Sequence, residues 1–159
     1  YVASLLHGSA AALQYLLPVI IFLVAVGLAF ATGTSWGTFS ILVPIVCHAF
    51  PQGEMLVIAI ASCLSGAVCG DHCSPISDTT ILSSTGAGCD HIQHVSTQMP
   101  YAITVAACCF VGYIVAGLTK GLPTAANIGA TLGTSVVLLL VVLVVLHKLS
   151  LKKVKAAEA

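Results

Sequence analysis

Long apolar runs separated by short polar stretches dominate this chain. Three of the runs, 12–32, 101–118 and 128–146, are each close to the length of a membrane-spanning helix. About 20 apolar helical residues are needed to cross the ~30 Å hydrocarbon core of a bilayer. The pattern therefore predicts an all-α, polytopic membrane protein in which residues 1–159 form one transmembrane domain.

The first apolar run continues into a small polar tip and then into a shorter apolar run. The tip, Thr32–Thr38, reads Thr-Gly-Thr-Ser-Trp-Gly-Thr, and the shorter run follows over 38–50. An apolar run of about 10–14 residues is more typical of a re-entrant segment than of a span. Residues 12–50 are therefore predicted to form a helical hairpin that enters the membrane and returns. The alternative is one full span followed by a half helix.

Small residues mark the next apolar segment. Ser62, Gly66 and Gly70 lie four residues apart, which places them on one helix face and permits close packing against another helix. The polar run Gly70–Thr80 follows directly, with the sequence Gly-Asp-His-Cys-Ser-Pro-Ile-Ser-Asp-Thr-Thr. In lipid, such a run is tolerated only where it is buried in protein or lines a water-filled cavity.

The polar run predicts a break in a discontinuous transmembrane helix over 55–88. We expect the helix to unwind near 70–75 and to resume with Pro75 at its first position, where proline is well tolerated. Either Ser74 or Ser77 would be the N-cap of the second half.

Lysines at the end of the chain set the expected orientation. Four of the five lysines follow residue 146. The positive-inside rule therefore places the tail 147–159 in the cytoplasm. Counting back, the loop 119–127 lies outside and the polar loop 89–98 inside. The histidines of that inner loop, His91 and His94, are interpreted as solvated.

Composition excludes several classes of protein. Of 159 residues, 58% are hydrophobic and only 6% are charged, too few to cover a water-facing surface. The chain has no arginine and no basic face, so nucleic acid is not an expected partner. Seven cysteines, an odd number, lie mostly in or beside apolar segments, which argues against a disulfide framework. With no Ser-His-Asp arrangement and no phosphate-cradling loop, neither an enzyme nor a bound cofactor is expected.

Asp71 and Asp78 are the main candidates for chemistry. A charged side chain in a membrane helix costs roughly 2.5–3.5 kcal/mol on insertion scales, so such residues usually mark ion or substrate pathways. An aspartate can bind Na⁺ when ionised and hold a proton when not. The alternative for either residue is a cap on the second half helix.

Hydroxyl groups and one histidine could complete such a site. Hard cations prefer oxygen ligands, and Ser74, Ser77 and Thr79 supply hydroxyls in the same run. For each hydroxyl, a bond to a nearby helix carbonyl is an equal alternative. His72 is interpreted as a proton relay. It could also bind a soft metal with Cys69 and Cys73, but the set lacks a fourth ligand, and no metal site is expected.

The two polar motifs resemble those of a known family. Gly33–Phe39, followed by Gly70–Ser84, is similar to the NhaC-type Na⁺/H⁺ antiporters of the ion transporter superfamily, and Cys89–Ile92 and Gln98–Tyr101 also fit that pattern. The resemblance implies a multi-pass secondary transporter of the cell (inner) membrane, of which this chain would supply one half of an inverted repeat. It implies that the site groups are those of the polar tip and the polar run: Thr34, Ser35, Asp71, His72, Ser74, Ser77, Asp78 and Thr79.

Three hypotheses of function follow. The first is Na⁺/H⁺ antiport, with cation and proton competing at the intramembrane aspartates and transported Na⁺ and H⁺ as the ligands. The second is Na⁺- or H⁺-coupled exchange of an organic acid or amino acid, of the malate/lactate type. The third is a non-transporting membrane fragment or subunit. Because the chain opens at Tyr1 without an initiator Met, we expect a fragment of a longer transporter, and the resemblance implies its C-terminal portion. The expected partners are the lipid bilayer, the first half of the transporter and, in a homo-oligomer, further copies.

Overall fold

Six helices make up the part of the chain that the structure describes. In this computed structural model, the backbone of residues 11–157 and the side chains of residues 15–150 are described. The helices are α1 (Ala11–Thr32), α2 (Ser35–Ala49), α3 (Glu54–Cys73), α4 (Asp78–Ala87), α5 (His91–Leu118) and α6 (Thr124–Ala157). No strand occurs between residues 11 and 157, apart from an isolated bridge between Lys120 and Leu122. The all-α prediction is confirmed.

Four of these helices, α1, α3, α5 and α6, are long and apolar enough to cross a membrane, whereas α2 is a shorter apolar helix. The polytopic membrane class predicted from the apolar runs is therefore confirmed. In length, α1 and α2 match the alternative of one full span followed by a shorter helix. They also form a tight antiparallel pair around Gly33 and Thr34, where Gly33 adopts a left-handed φ of 67°.

Close packing between α1 and α3 forms the centre of the fold. The two helices run parallel, because Gly66 lies against Phe22 and Gly70 lies against Val26. At both glycines a Cβ atom would clash with a backbone carbonyl of α1. The small-residue face predicted for this segment is confirmed, since Ser62 and both glycines are buried.

The other helices pack around this pair. Helix α2 runs antiparallel to α3 and buries Val46 against Ala59 and Cys63. Helix α5 also runs antiparallel to α3 and lies across α1 and α3. The Tyr113 hydroxyl of α5 is 2.6 Å from the Ser65 hydroxyl and donates to the Ala61 carbonyl oxygen at 3.0 Å.

Helix α6 contacts mainly α5. The Asn127 amide is buried and donates to the Ala116 carbonyl oxygen at 3.1 Å, which ties the start of α6 to the end of α5. Since α6 is antiparallel to α5, its C-terminal end lies at the same end of the bundle as the start of α5.

The break in the 55–88 segment lies later than the sequence suggested. Helix α3 continues through Cys73, so Asp71 and His72 are helical, and the irregular stretch covers Ser74–Ser77. Pro75 lies inside this stretch and not at the first position of α4, which begins at Asp78 with Ser77 as its N-cap. The break also comes at the end of a helix that is long enough to cross a membrane by itself, not halfway along one.

Two predicted loops are shorter than expected. The stretch 89–98 is mostly helical, because α5 begins at His91, with the Asp90 side chain accepting a hydrogen bond from the Gln93 backbone N–H at 2.8 Å. The loop 119–127 is reduced to 119–123, since α6 begins at Thr124. The tail predicted from residue 147 onward is helical to Ala157.

The glycine contact between α1 and α3 generates the first test. In Gly70→Ala the new methyl group would lie 2.9 Å from the Ala29 Cβ and from the Phe30 nitrogen, so the helices must move apart. Overpacking of this kind costs about 1–3 kcal/mol. We expect a lower midpoint of thermal unfolding for the full-length protein in detergent.

Gly27→Ala is the matched control. Gly27 lies in α1, and a Cβ atom there would meet no atom of the described residues within 4 Å. An unfolding midpoint for Gly70→Ala equal to that of Gly27→Ala would show that the close approach is not required.

Candidate functional site

The tip of the α1–α2 hairpin meets the break between α3 and α4. The Ser74 hydroxyl in the break is fully buried and donates to the Phe30 carbonyl oxygen near the end of α1, at 2.8 Å. Gly33 lies so close to Ile76 that a Cβ atom would be 2.8 Å from its Cγ1. The two polar motifs, 44 residues apart at Phe30 and Ser74, therefore form one junction.

Asp71 is the buried carboxylate of this junction. It lies in the last turn of α3, is 9% exposed, and its Oδ1 accepts a hydrogen bond from the Ser77 hydroxyl at 2.6 Å. Ser77 is itself fully buried and makes no side-chain cap bond to α4, because its hydroxyl points to Asp71.

A second hydroxyl extends this pair. The Thr79 Oγ1 lies 2.8 Å from the Ser77 Oγ. A serine hydroxyl has one proton, and since Ser77 gives it to Asp71, Thr79 must be the donor to Ser77. A chain of two hydroxyls therefore ends on one buried carboxylate, which is a compact set of hard oxygen atoms.

Asp78 has a different environment. It is the first residue of α4, is exposed in this chain, and its Oδ1 accepts a hydrogen bond from the Thr79 backbone N–H at 2.8 Å. A negative charge at a helix N-terminus interacts favourably with the helix dipole and so stabilises the helix. The structure thus separates the two aspartates into a buried carboxylate with a hydroxyl partner and an exposed one at a helix end.

Thr34 and Ser35 lie at the other side of the junction. Thr34 is the N-cap of α2, where its hydroxyl oxygen accepts from the Gly37 backbone N–H at 3.3 Å. Ser35 is buried as the first residue of α2. Within the described residues, neither side chain forms a hydrogen bond to Asp71.

His72 lies near the end of α3 but faces a different space. Its ring lines a groove of about 600 Å³ between α1, α3 and α5, together with Cys69 and Tyr101. No hydrogen bond joins the ring to Asp71 in the described part of the chain. Among the side chains of residues 15–150, no group of three or more His, Cys, Asp or Glu is arranged to hold a metal ion.

Sequence reasoning missed the contribution of α5. His91, interpreted as a solvated loop residue, places its Nε2 2.7 Å from the Pro75 carbonyl oxygen and its Nδ1 3.0 Å from the Ser84 hydroxyl. The Gln98 side-chain amide donates to the His72 carbonyl oxygen at 2.7 Å. The spacing Asp90-x-x-Gln93 is typical of a helix start and was the signal that would have placed His91 on a helix.

Comparison with known proteins gives one family and several relatives. The profile of the Na⁺/H⁺ antiporter family matches residues 1–118. An uncharacterized protein of Haemophilus influenzae is 54% identical over 121 residues, which cover 75% of this chain and 23% of that protein. No solved structure matches the chain.

Two further relatives carry functional names. An uncharacterized Na⁺/H⁺ antiporter of Haemophilus influenzae is 34% identical over 66% of this chain and 22% of its own length. A malate-2H⁺/Na⁺-lactate antiporter of Bacillus subtilis is 34% identical over 55% of this chain and 20% of its own length. The matched region therefore corresponds to less than a quarter of each of these relatives.

The bond from Ser74 to Phe30 gives a test of the junction. In Ser74→Ala the bond is lost and the Phe30 carbonyl oxygen has one partner fewer, so the tip should separate from the break more often. We expect faster backbone hydrogen exchange of residues 31–38 in the full-length protein, measured by mass spectrometry.

Ser83→Ala serves as the control for this exchange experiment. Ser83 is exposed on α4, and its hydroxyl bonds only to the Thr79 carbonyl oxygen of its own helix. If exchange at the tip is equally fast in wild type and Ser74→Ala, the bond does not hold the junction together.

Proposed function

Because the chain belongs to the Na⁺/H⁺ antiporter family, we propose that it forms part of a secondary transporter in which Na⁺ and H⁺ compete for the Asp71 carboxylate. The observation that carries the proposal is the buried Asp71 bonded to Ser77, at the point where the hairpin tip meets the break. One carboxylate balances the charge of one Na⁺ ion. The Ser77 and Thr79 hydroxyls supply the neutral oxygen atoms that hard cations prefer.

The orientation of the helix ends supports a cation at this junction. Helices α1 and α3 both end here, at Thr32 and Cys73, and the carbonyl end of a helix carries partial negative charge. In each helix that begins here, one backbone N–H is already bonded to an oxygen atom of the chain, in α2 to the Thr34 hydroxyl and in α4 to the Asp78 carboxylate. The local field therefore favours a positive ligand over an anion.

The remaining ligands and the moving partner are proposed to come from the rest of the protein. The chain spans less than a quarter of the relatives it matches. Transporters of this architecture bind their ions between two repeats and alternate access by moving one bundle against the other. If the lysines at the end of α6 are cytoplasmic, the junction lies toward the cytoplasmic end of the bundle, because α6 ends at the same end as the α3–α4 break.

A second candidate is coupled exchange of an organic acid through the same junction. A relative that is named a malate-2H⁺/Na⁺-lactate antiporter favours it. In that case the organic anion would bind beside the cation, and labelled malate or lactate would show counterflow in proteoliposomes. Na⁺-dependent proton movement with no counterflow of either acid would leave cation exchange as the function.

Replacement of Asp71 tests the proposed carrier. Asp71→Asn keeps the size of the side chain but removes the charge and the proton-binding group. A hydrogen bond to a charged group is worth ~1.5–3 kcal/mol, and the loss is larger where that group binds the transported ion. We therefore expect Na⁺-dependent exchange to fall by about 100-fold or more. The measurement is the Na⁺-driven pH change in everted vesicles that contain the full-length protein.

Asp90→Asn is the matched control for this loss of charge. Asp90 is exposed and caps α5, and asparagine caps a helix as well as aspartate does. We expect wild-type exchange from Asp90→Asn and a smaller loss from Asp78→Asn than from Asp71→Asn. Wild-type exchange by Asp71→Asn would refute the assignment.

The Ser77 hydroxyl provides a graded test of the same site. Ser77→Ala removes the donor to Asp71 and one oxygen ligand, but leaves the carboxylate in place. We expect the half-saturating Na⁺ concentration to rise by about tenfold, the factor that corresponds to the loss of ~1.4 kcal/mol. An unchanged half-saturating concentration would place Ser77 outside the ion shell.

A further inference from the structure

The break between α3 and α4 leaves backbone carbonyl groups that have no partner within a helix. The last four carbonyls of any helix lack intrahelical hydrogen bonds, and each must find another donor when buried. At the end of α3, the Asp71 carbonyl oxygen accepts from the Ser74 N–H at 3.0 Å. The His72 carbonyl oxygen accepts from the Thr80 hydroxyl of α4 at 3.4 Å, and the carbonyls of His72 and Pro75 each accept from a further side chain.

Helix α5 supplies both of these donors. The His91 Nε2 lies 2.7 Å from the Pro75 carbonyl oxygen, and the Gln98 amide donates to the His72 carbonyl oxygen at 2.7 Å. His91 and Gln98 are seven residues apart, which is two helical turns, so they lie on the same face of α5. We call this pair the α5 clamp.

His91 can keep both of its bonds in either protonation state. A carbonyl oxygen only accepts, so the Nε2 beside Pro75 carries a proton. In the neutral ring, Nδ1 accepts from the Ser84 hydroxyl. In the charged ring, Nδ1 donates to the same hydroxyl, which can turn its own proton to the Ile81 carbonyl oxygen 2.9 Å away. The ring therefore joins the break to α4.

We propose that His91 and Gln98 are positioning residues. They hold the α3–α4 break in the conformation in which the Ser77 hydroxyl bonds to the Asp71 carboxylate. Both carbonyls that they hold lie between Asp71 and Ser77 in the sequence, that of His72 in the last turn of α3 and that of Pro75 inside the irregular stretch. This inference rests on the proposed function of the Asp71 site and adds to it a second set of residues, none of which touches the ion.

Substitutions at His91 distinguish the contribution of its bond to Pro75 from that of its bond to Ser84. In His91→Gln the side-chain amide can take the place of Nε2 and still donate to Pro75. In His91→Asn the shorter amide takes the place of Nδ1 and reaches only Ser84. His91→Ala loses both bonds. His94→Ala is the matched control, because His94 lies one turn away on α5 and its ring forms no hydrogen bond in the described part of the chain.

The transport readout compares these variants in the full-length protein. Residues that orient ion ligands without binding the ion usually change affinity by about 10- to 100-fold. We expect His91→Ala and His91→Asn to raise the half-saturating Na⁺ concentration by about tenfold with a smaller effect on the maximal rate, and His91→Gln to restore most of the affinity. Equal values for His91→Ala and His94→Ala, or no rescue by His91→Gln, would overturn the proposal.

A second readout does not depend on transport. Backbone hydrogen exchange of residues 74–88 reports how firmly the break is held. We expect faster exchange in His91→Ala and in Gln98→Glu, whose carboxylate cannot donate to the His72 carbonyl, and wild-type exchange in His94→Ala. If the wild-type protein shows no Na⁺-dependent proton movement but His91→Ala loosens the break, the proposed function fails and the clamp stands as a structural one. If transport is present and the exchange rates do not change, the clamp is wrong.

Discussion

The close approach of α1 and α3 is the constraint on which the rest of this structure depends. Two glycines of α3, Gly66 and Gly70, let the backbones touch, and any side chain there would push the helices apart. Because the two helices run parallel, they end together, and the polar stretches that follow them meet at the same level. The bond from Ser74 to Phe30 and the burial of Asp71 both follow from that alignment.

Much of this arrangement could be predicted from local sequence. The spacing of Ser62, Gly66 and Gly70 indicated a packing face, and the run from Gly70 to Thr80 indicated a break, since both signals lie within a few residues of the structure they predict. The exact position of the break could not be predicted, because intrinsic helix preferences are weak and tertiary surroundings override them. The contact between the tip and the break joins residues far apart in sequence, for which one sequence carries no signal.

The error at the start of α5 has a particular cause. Residues 89–98 are polar, and hydropathy alone does not detect the cap signal of Asp90 and Gln93. A helix start rich in polar side chains looks like a loop when only hydropathy is considered. In this chain two of those polar residues, His91 and Gln98, donate hydrogen bonds to backbone carbonyls at the break.

The single buried carboxylate of the junction, Asp71, also bears on how tightly two fluxes would be coupled. With Na⁺ or a proton bound, the Asp71 site has no net charge, and only the empty, ionised site is negative. The site can reorient in three forms: with Na⁺ bound, with a proton bound, or empty. Reorientation of the empty form is the most costly, because it moves a bare charge through a medium of low dielectric constant. On the proposed function, the vacant carrier would therefore be the form that reorients most slowly, so the burial of one aspartate would by itself suppress uncoupled leak and make exchange obligatory.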